Sequence, residues 1–192
     1  MQDNRTVQKS GPRSVIGSLN IYSILALAGI VGPIVLVFAN IATSFSNPKY
    51  NFIRDSISTL ALAPMGWLQI IGFLVVGLLG EVFVIGLFLS IRRGRGFALG
   101  IAALVCFSFG LLLLGAFRTN LPGTPDTIES IIHSVTAAII FWLFSIACLL
   151  IAPSLRKDSY WRDLFLYTII TGVFTAVFLI TSVWLPEQSG WF

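Results

Sequence analysis

Five long apolar runs, separated by short polar segments, constrain the fold of this chain more than any other feature. A membrane-spanning helix needs about 20 mostly apolar residues, and each run reaches that length. Charged residues make up 10% of the 192 residues, whereas a typical soluble domain has about 25%. The runs predict five transmembrane helices, over residues 20–44, 67–91, 96–117, 128–153 and 164–185.

The predicted fold class is all-α, a polytopic transmembrane helix bundle. It forms a single domain over residues 17–192, preceded by a flexible cytoplasmic tail over residues 1–16. The first run is longer than the apolar core of a cleaved signal peptide, which is about 7–15 residues, so we expect it to remain as the first span. The chain stops on Trp191-Phe192 without a charged tail. Because this ending is typical of the entry to another span, we expect six spans in the natural chain.

The distribution of Lys and Arg predicts the orientation. Nine basic residues fall in the tail, the second loop and the fourth loop, and three fall in the first and third loops. Cytoplasmic loops carry the excess of positive charge, so the N-terminus is predicted to lie on the cytoplasmic side of a cell inner membrane. The first and third loops then face outward. No nucleic-acid partner is expected, because the basic residues sit in short loops instead of forming one folded basic face.

The first loop predicts a short amphipathic helix at the membrane surface, over residues 48–60. Apolar positions recur there at helical spacing, and polar positions fall on the opposite side. Asn47 is suited to cap such a helix, and Pro48 to its first position, where a missing N–H has no cost. The polar face carries Asn51, Arg54, Asp55 and Ser58.

The third loop and the fourth span carry further outward-facing polar residues. Asp126, Glu129 and His133 are spaced i, i+3, i+7, which places them on one face of a helix. Arg118 begins the loop. The Thr-Pro-Asp sequence at 124–126 predicts the helix start, with a cap, a proline and an N-terminal acid.

Two interpretations of this polar set stay open. In the first, the residues line a pocket at the outer leaflet, where Arg54 and Arg118 hold a phosphate or carboxylate as a bidentate fork. His133 then acts as an acid or base tuned by Glu129. In the second, they form a structural clamp in which Arg54 pairs with Asp126 or Glu129. The full set is Asn51, Arg54, Asp55, Ser58, Arg118, Asp126, Glu129 and His133.

Glu81 is a second candidate, because it lies near the middle of the second span. A charge at the bilayer centre costs about 2.5–3.5 kcal/mol on insertion scales, and such residues are usually functional. Two alternatives remain for it. It is either a proton or cation relay, or a buried carboxyl group hydrogen-bonded to Ser108 or to a hydroxyl of another helix.

The sequence indicates no metal and no cofactor. A single histidine argues against a zinc site, and no phosphate loop, dinucleotide fingerprint or c-type haem motif occurs. Cys106 and Cys148 both lie inside apolar runs, where cysteine behaves as a small hydrophobic residue. No nucleophile elbow is present, so the sequence leaves open whether the protein is an enzyme.

Three segments resemble a prokaryotic membrane family known only as domain of unknown function number nine hundred and ninety-eight. They are Asn-Phe-Ile-Arg-Asp-Ser-Ile-Ser-Thr-Leu at 51–60, Gly-Trp-Leu-Gln at 66–69, and Phe-Arg-Thr-Asn at 117–120 with the later Thr124 and His133. The resemblance covers about residues 20–192. It implies a protein with six spans. The family has no established activity that could be carried over to this chain. Two departures stand out: Asn120 occupies a position where we expect an acid, and Glu129-Ser130 replaces a small step containing glycine.

Three functions are compatible with these observations. The first is binding of an anionic lipid or isoprenoid head group on the extracytoplasmic side, through Arg54, Arg118 and His133. The second is a non-catalytic accessory or structural subunit of a membrane complex. The third is a small proton-coupled transporter that uses Glu81. Membrane lipids and other membrane subunits are the expected partners.

Overall fold

The five apolar runs form five α-helices in the computed structural model, which describes residues 20–121 and 123–182. Each helix is long and apolar enough to cross a membrane. This confirms the predicted all-α transmembrane bundle. The helices are α1 Ile21–Phe45, α2 Gly66–Ser90, α3 Phe97–Ala116, α4 Ile128–Lys157 and α5 Leu164–Ser182.

Four loops join these helices: loop 1 (46–65), loop 2 (91–96), loop 3 (117–127) and loop 4 (158–163). Neighbouring helices run antiparallel, so loops 1 and 3 lie at one end of the bundle and loops 2 and 4 at the other. We call these the loop 1–3 end and the loop 2–4 end. The predicted tail over 1–16 and the expected sixth span lie outside the described residues.

Helix α2 packs against α1 and α3 through glycines on two of its faces. A Cβ at Gly72 would lie 2.8 Å from the Cβ of Ala39 in α1, and a Cβ at Gly77 would lie 2.8 Å from Cδ2 of Leu112 in α3. These distances are shorter than side chains tolerate, so glycine is what allows the close approach. Small residues serve this purpose in membranes, where helix association depends on close van der Waals packing.

Helix α4 is held between α3 and α5 by different contacts. On one side, Gly110 of α3 meets the side chain of Ile140 so closely that no Cβ could be added. On the other, the buried hydroxyl of Ser145 donates a hydrogen bond of 2.7 Å to the carbonyl of Gly172 in α5. Interhelical hydrogen bonds of this kind add to packing in lipid.

The helices form an open row. Among the described helices, each packs against its neighbours in sequence, and no other pair of long helices has Cα atoms within 8 Å of each other. Side chains from several helices nevertheless meet in two apolar clusters. The loop 1–3 cluster comprises Phe73, Val76, Leu111, Leu114 and Ile140, with Leu36, Phe107 and Ala137 against it. The loop 2–4 cluster comprises Val84, Ile91, Phe97, Ile101, Ile151 and Leu155.

Loop 1 does not form the amphipathic helix predicted over residues 48–60. Residues 46–56 form turns and irregular backbone, and a short 3₁₀ helix follows at Ile57–Leu62. Asn47 caps a turn instead of a helix, because its Oδ1 accepts the backbone N–H of Lys49 at 3.3 Å. Local bonds between polar side chains and the backbone compete in this way with helix formation. Leu60 is fully buried, which anchors the 3₁₀ helix against α1 and α2.

The N-terminal cap of α4 also differs from the prediction. The cap is Thr127, not Thr124: the Thr127 Oγ1 accepts the backbone N–H of Ser130 at 3.2 Å. In return, the Ser130 Oγ accepts the backbone N–H of Thr127 at 3.2 Å. This reciprocal capping box satisfies two N–H groups at once, which Thr124 does not do, because its hydroxyl donates to the carbonyl of Leu121.

The C-terminal end of α4 lies four residues beyond the predicted end at Pro153. A proline inside a helix removes one backbone hydrogen bond, but the residues after it are well packed. Ser154 and Leu155 are both buried, and Leu155 belongs to the loop 2–4 cluster. Tertiary packing therefore outweighs the local effect of the proline.

Candidate functional site

The predicted site residues of loop 1 bond mainly to one another. Asn51 Oδ1 accepts the backbone N–H of Ile53 at 2.9 Å and that of Arg54 at 3.3 Å. Asp55 Oδ2 accepts the backbone N–H of Asn51 at 2.8 Å, and its Oδ1 lies 3.4 Å from Arg54 Nε. The Arg54 side chain is 67% exposed, so this ion pair contributes only about 0–1 kcal/mol. The three residues close a turn and leave most of the guanidinium in solvent.

Tyr50 fastens this turn. Its hydroxyl donates to the backbone carbonyl of Asp55 at 3.3 Å, and its ring packs edge-to-face on Phe52 with centroids 5.1 Å apart. Burial, and then the nearby charge of Asp55, raises the pKa of Tyr50 above its ordinary value of 10.0. Ser58 lies half-buried in the 3₁₀ helix.

The predicted site residues around loop 3 form a second, separate group. Arg118 Nε lies 4.0 Å from Glu129 Oε2, and both side chains are more than half exposed. Asp126 lies before the start of α4, where its Oδ1 accepts the hydroxyl of Ser130 at 3.3 Å. The helical face predicted for Asp126, Glu129 and His133 is therefore wrong for Asp126. In the described part of the chain, no hydrogen bond joins Glu129 to His133.

Asn120 organises loop 3. Its Nδ2 donates to the carbonyl of Pro125 at 2.7 Å, and its Oδ1 accepts the hydroxyl of Thr127 at 3.2 Å. A carboxylate at this position could accept from Thr127 but could not donate to Pro125. The asparagine that departs from the expected acid thus has a structural role in this chain.

His133 is the most enclosed residue of the predicted set, with 5% of its surface exposed. Its Nδ1 lies 2.7 Å from the backbone carbonyl of Phe117. Since a carbonyl only accepts, Nδ1 carries the proton and donates it to this bond. The other ring nitrogen, Nε2, is buried and has no hydrogen-bond partner among the described residues.

Two further polar side chains share this property, and sequence reasoning missed both. Gln69 is fully buried, and neither its Nε2 nor its Oε1 has a partner within residues 20–121 and 123–182. The same holds for the buried Oδ1 of Asn40. We call Asn40, Gln69 and His133 the buried polar layer. A buried polar atom without a partner costs about 1–3 kcal/mol, so three such side chains together need an explanation.

The buried polar layer lies on the loop side of the loop 1–3 cluster. Residues four positions apart share a face of a helix, and each member of the layer lies four positions from a residue that belongs to that cluster or packs against it. It therefore lies between the apolar interior and loops 1 and 3. The signal in the sequence is a polar residue that continues an apolar stripe by one turn. The pairs are Gln69 with Phe73, His133 with Ala137, and Asn40 with Leu36.

The structure does not join the two groups of predicted residues. Arg54 pairs with its neighbour Asp55, and no described ion pair links it to Asp126 or Glu129. The clamp in its predicted form is therefore not observed. The formal charges at the loop 1–3 end cancel, because three basic and three acidic side chains lie there in the described region.

Glu81 lies half-buried in the middle of α2. It shares a helix face with Gly77 and Val84, four positions before it and three after. One of the two alternatives for Glu81 expects a hydrogen bond to Ser108 or to a hydroxyl of another helix. Neither bond is observed among the described residues. Ser108 packs instead against Gly80, where an added Cβ would lie 2.6 Å from its Oγ.

Comparison with known proteins adds a family and no activity. Neither a curated protein nor a solved structure matches the chain. In the described part of the chain, no group of three or more His, Cys, Asp or Glu side chains is placed to hold a metal ion. One family model matches residues 30–192, which is most of the sequence, and the chain therefore belongs to the family of proteins of unknown function DUF998.

Proposed function

We propose that this membrane protein binds the anionic head group of a lipid or isoprenoid at the loop 1–3 end, on the extracytoplasmic side. The observation that carries the proposal is His133 Nε2, which is buried and unpartnered directly behind loop 3. Buried polar atoms are nearly always paired. One without a partner is therefore a candidate contact for a ligand.

The buried polar layer has a definite hydrogen-bonding character. In the neutral tautomer that carries its proton on Nδ1, the Nε2 of His133 is an acceptor, as are Asn40 Oδ1 and Gln69 Oε1. Gln69 Nε2 is the single donor group among the four unpaired atoms. Such a layer favours a ligand that donates hydrogen bonds, for example the hydroxyl or amine groups of a head group.

Arg118 is the side chain suited to the anionic part. It is more than half exposed, and its Nε lies 4.0 Å from Glu129, so this ion pair is weak. A guanidinium binds a phosphate through two parallel hydrogen bonds. Arg118 directly follows Phe117, whose carbonyl accepts from His133. The bond from His133 therefore fixes the backbone from which the arginine side chain leaves.

Native mass spectrometry of the mildly solubilised protein tests this proposal. We expect a lipid-sized adduct to fall about fivefold in His133→Leu, which loses one neutral hydrogen bond, and about tenfold or more in Arg118→Gln, which loses a charge-assisted one. Arg54→Gln is the matched control, since it removes the same charge from the same end and its described contacts stay within loop 1. An adduct that all variants retain equally would contradict the proposal. A protein partner retained by all of them, without any lipid, would favour an accessory subunit.

Glu81 supports a second candidate function, proton-coupled transport. The observation in its favour is a carboxyl group in the middle of a span without a described partner, since such groups often mark ion pathways. Proteoliposomes loaded with a pH-sensitive dye test it, with Glu81→Gln beside the wild type and Glu129→Gln as a control outside the spans. Equal proton flux in all three would reject this candidate.

A further inference from the structure

Positive charge is concentrated at the loop 2–4 end. Six basic and two acidic side chains lie there, whereas the two signs balance at the opposite end of the described bundle. Three of the basic residues, Arg92, Arg93 and Lys157, line one cleft of about 420 Å³ together with Gly94. This volume lies within the range of about 300–1,000 Å³ that is usual for small-ligand sites.

Two hydrogen bonds hold the two walls of this cleft together. The backbone N–H of Arg92 donates to Asp158 Oδ2 at 3.1 Å, and that of Gly94 donates to the fully buried Oγ of Ser154 at 3.1 Å. A Cβ at position 94 would lie 2.7 Å from the same Oγ, so the fit depends on glycine. The spacing between loop 2 and Lys157 is thus set by backbone contacts and not by the cations themselves.

The acidic residue beside the cleft, Asp158, accepts hydrogen bonds from backbone N–H groups. Asp158 Oδ1 accepts the N–H of Tyr160 at 3.0 Å and that of Trp161 at 3.4 Å, in addition to the bond from Arg92 on Oδ2. These bonds, led by the one from Arg92, lower the pKa of Asp158 below its ordinary value of 3.8. In the described region, no cation of the cleft has a carboxylate oxygen within 4.0 Å.

Arg93 also contacts helix α2. Its Cζ lies 4.2 Å from the centroid of the Phe88 ring, over the face of the ring, which is a cation–π contact. This contact uses the face of the guanidinium and leaves its N–H groups available to donate hydrogen bonds to a phosphate.

We propose that this cleft binds a phosphate group, carried either by an anionic lipid of the adjacent leaflet or by free phosphate. The site lies at the opposite end of the bundle from the proposed head-group site and is independent of it. Basic pockets between transmembrane helices at the membrane surface bind phosphate-bearing head groups. The positive-inside rule accounts for basic residues on this side. It does not account for three of them converging on a cleft built by backbone hydrogen bonds.

The full chain, placed in phosphatidylcholine bilayers with and without phosphatidylglycerol, provides the test. Native mass spectrometry measures the phosphatidylglycerol that the protein retains. We expect about a tenfold or larger loss in the double variant Arg92→Gln/Arg93→Gln, because each of these arginines is proposed to donate a charge-assisted hydrogen bond directly to the phosphate. The control is Arg95→Gln/Arg162→Gln, which removes the same charge from the same end without touching the cleft lining. Its loss should stay below about twofold.

Lys157→Gln is a second variant that leaves loop 2 and the contact with Phe88 intact. We expect it to lose about fivefold in retention, with an unchanged melting temperature in phosphatidylcholine alone. Inorganic phosphate distinguishes the sources: a melting temperature raised by phosphate in the wild type and not in Lys157→Gln identifies free phosphate, and protection by phosphatidylglycerol alone identifies the lipid. Equal losses in the cleft and control variants would overturn the proposal, as would no binding of either probe.

Discussion

Hydrogen bonds at the loop 2–4 end join loop 2 to residues 60 and 66 positions away, whereas at the loop 1–3 end no described bond joins loop 1 to loop 3. The unpaired buried atoms follow the same division. Ser154 at the loop 2–4 end is paired. At the loop 1–3 end the buried Ser130 is also paired, but all four unpaired buried atoms of the described residues lie there, in the buried polar layer. The loop 1–3 end therefore has unused hydrogen-bonding capacity in its interior.

Two glycines in the left-handed region give the largest expected contrast. Gly96 at the loop 2–4 end has φ 81°, and Gly123 at the loop 1–3 end has φ 80°. A Cβ added at Gly96 would also lie 3.3 Å from Cδ2 of Leu150. A Cβ added at Gly123 would have no atom within 4 Å. Gly96→Ala should destabilise by about 3 kcal/mol, from backbone strain and overpacking together. Gly123→Ala should cost about 1 kcal/mol from strain alone.

Unfolding midpoints in detergent, titrated with sodium dodecyl sulfate, measure both variants under the same conditions. Similar losses of stability for Gly96→Ala and Gly123→Ala would show that the two ends tolerate an added Cβ equally well. The proposed contrast between the two ends would then be wrong.

Opposite signs are expected when one buried polar side chain is removed at each end. Ser154→Ala leaves the N–H of Gly94 without its acceptor and should destabilise by about 1–2 kcal/mol. Gln69→Leu replaces a fully buried amide whose polar atoms are unpaired. It should stabilise by about 1 kcal/mol, because no hydrogen bond is lost and the desolvation cost disappears. The same unfolding assay checks both, and destabilisation by Gln69→Leu would mean that the amide has a structural role.

The lowered pKa of Asp158 predicts that the stability of the protein depends on this group only at acidic pH. Its pKa is lowered in the folded protein, chiefly by the N–H of Arg92 and then by that of Tyr160. Stability from the carboxylate is therefore fully present above the ordinary value of 3.8 and is lost as pH falls through the folded pKa. Asp158→Asn should be less stable than the wild type at neutral pH, with the difference shrinking in acid. Unfolding midpoints from pH 7 to pH 3, with Asp163→Asn as the control on the same loop, test this expectation.

The raised pKa of Tyr50 predicts the smallest effect on stability, which is seen only at alkaline pH. Burial, and then Asp55, raises its pKa above 10.0, so the protonated phenol favours the folded state below pH 10. That contribution is lost as pH rises from 10.0 toward the folded pKa. Tyr50→Phe should remove this alkaline loss and should cost about 0.5–1 kcal/mol at neutral pH through the missing bond to Asp55. Unfolding midpoints that fall equally in the variant and the wild type above pH 10 would contradict it.

The five spans could be predicted because their length and composition leave one solution in a bilayer. The structure of loop 1 could not be predicted, because the helical spacing of its apolar residues fits a series of turns equally well. Asn51 decides the outcome there, since its side chain bonds to the backbone of Ile53 and Arg54. Similarly, the cap of α4 depends on Ser130, a residue less typical of a capping box than Glu or Gln.

The candidate site was only half visible in the sequence. His133 was found because it is the single histidine, but Asn40 and Gln69 look like ordinary polar residues near the ends of spans. Their importance depends on which face of each helix is buried, and that requires the neighbouring helices. The cleft at the loop 2–4 end was missed for a related reason. Charge counting located Arg92, Arg93 and Lys157 on one side of the membrane without showing that they converge.

The open row of helices has a consequence for how the chain assembles. Each span finds its packing partner in the span made just before it, and contacts that are local in sequence form quickly. Helices can therefore dock in order of synthesis, without waiting for a distant partner. The bonds from loop 2 to Ser154 and Asp158 are the exception, since neither can form before α4 is complete. Closure of the basic cleft thus marks the point at which four of the five described spans are in place.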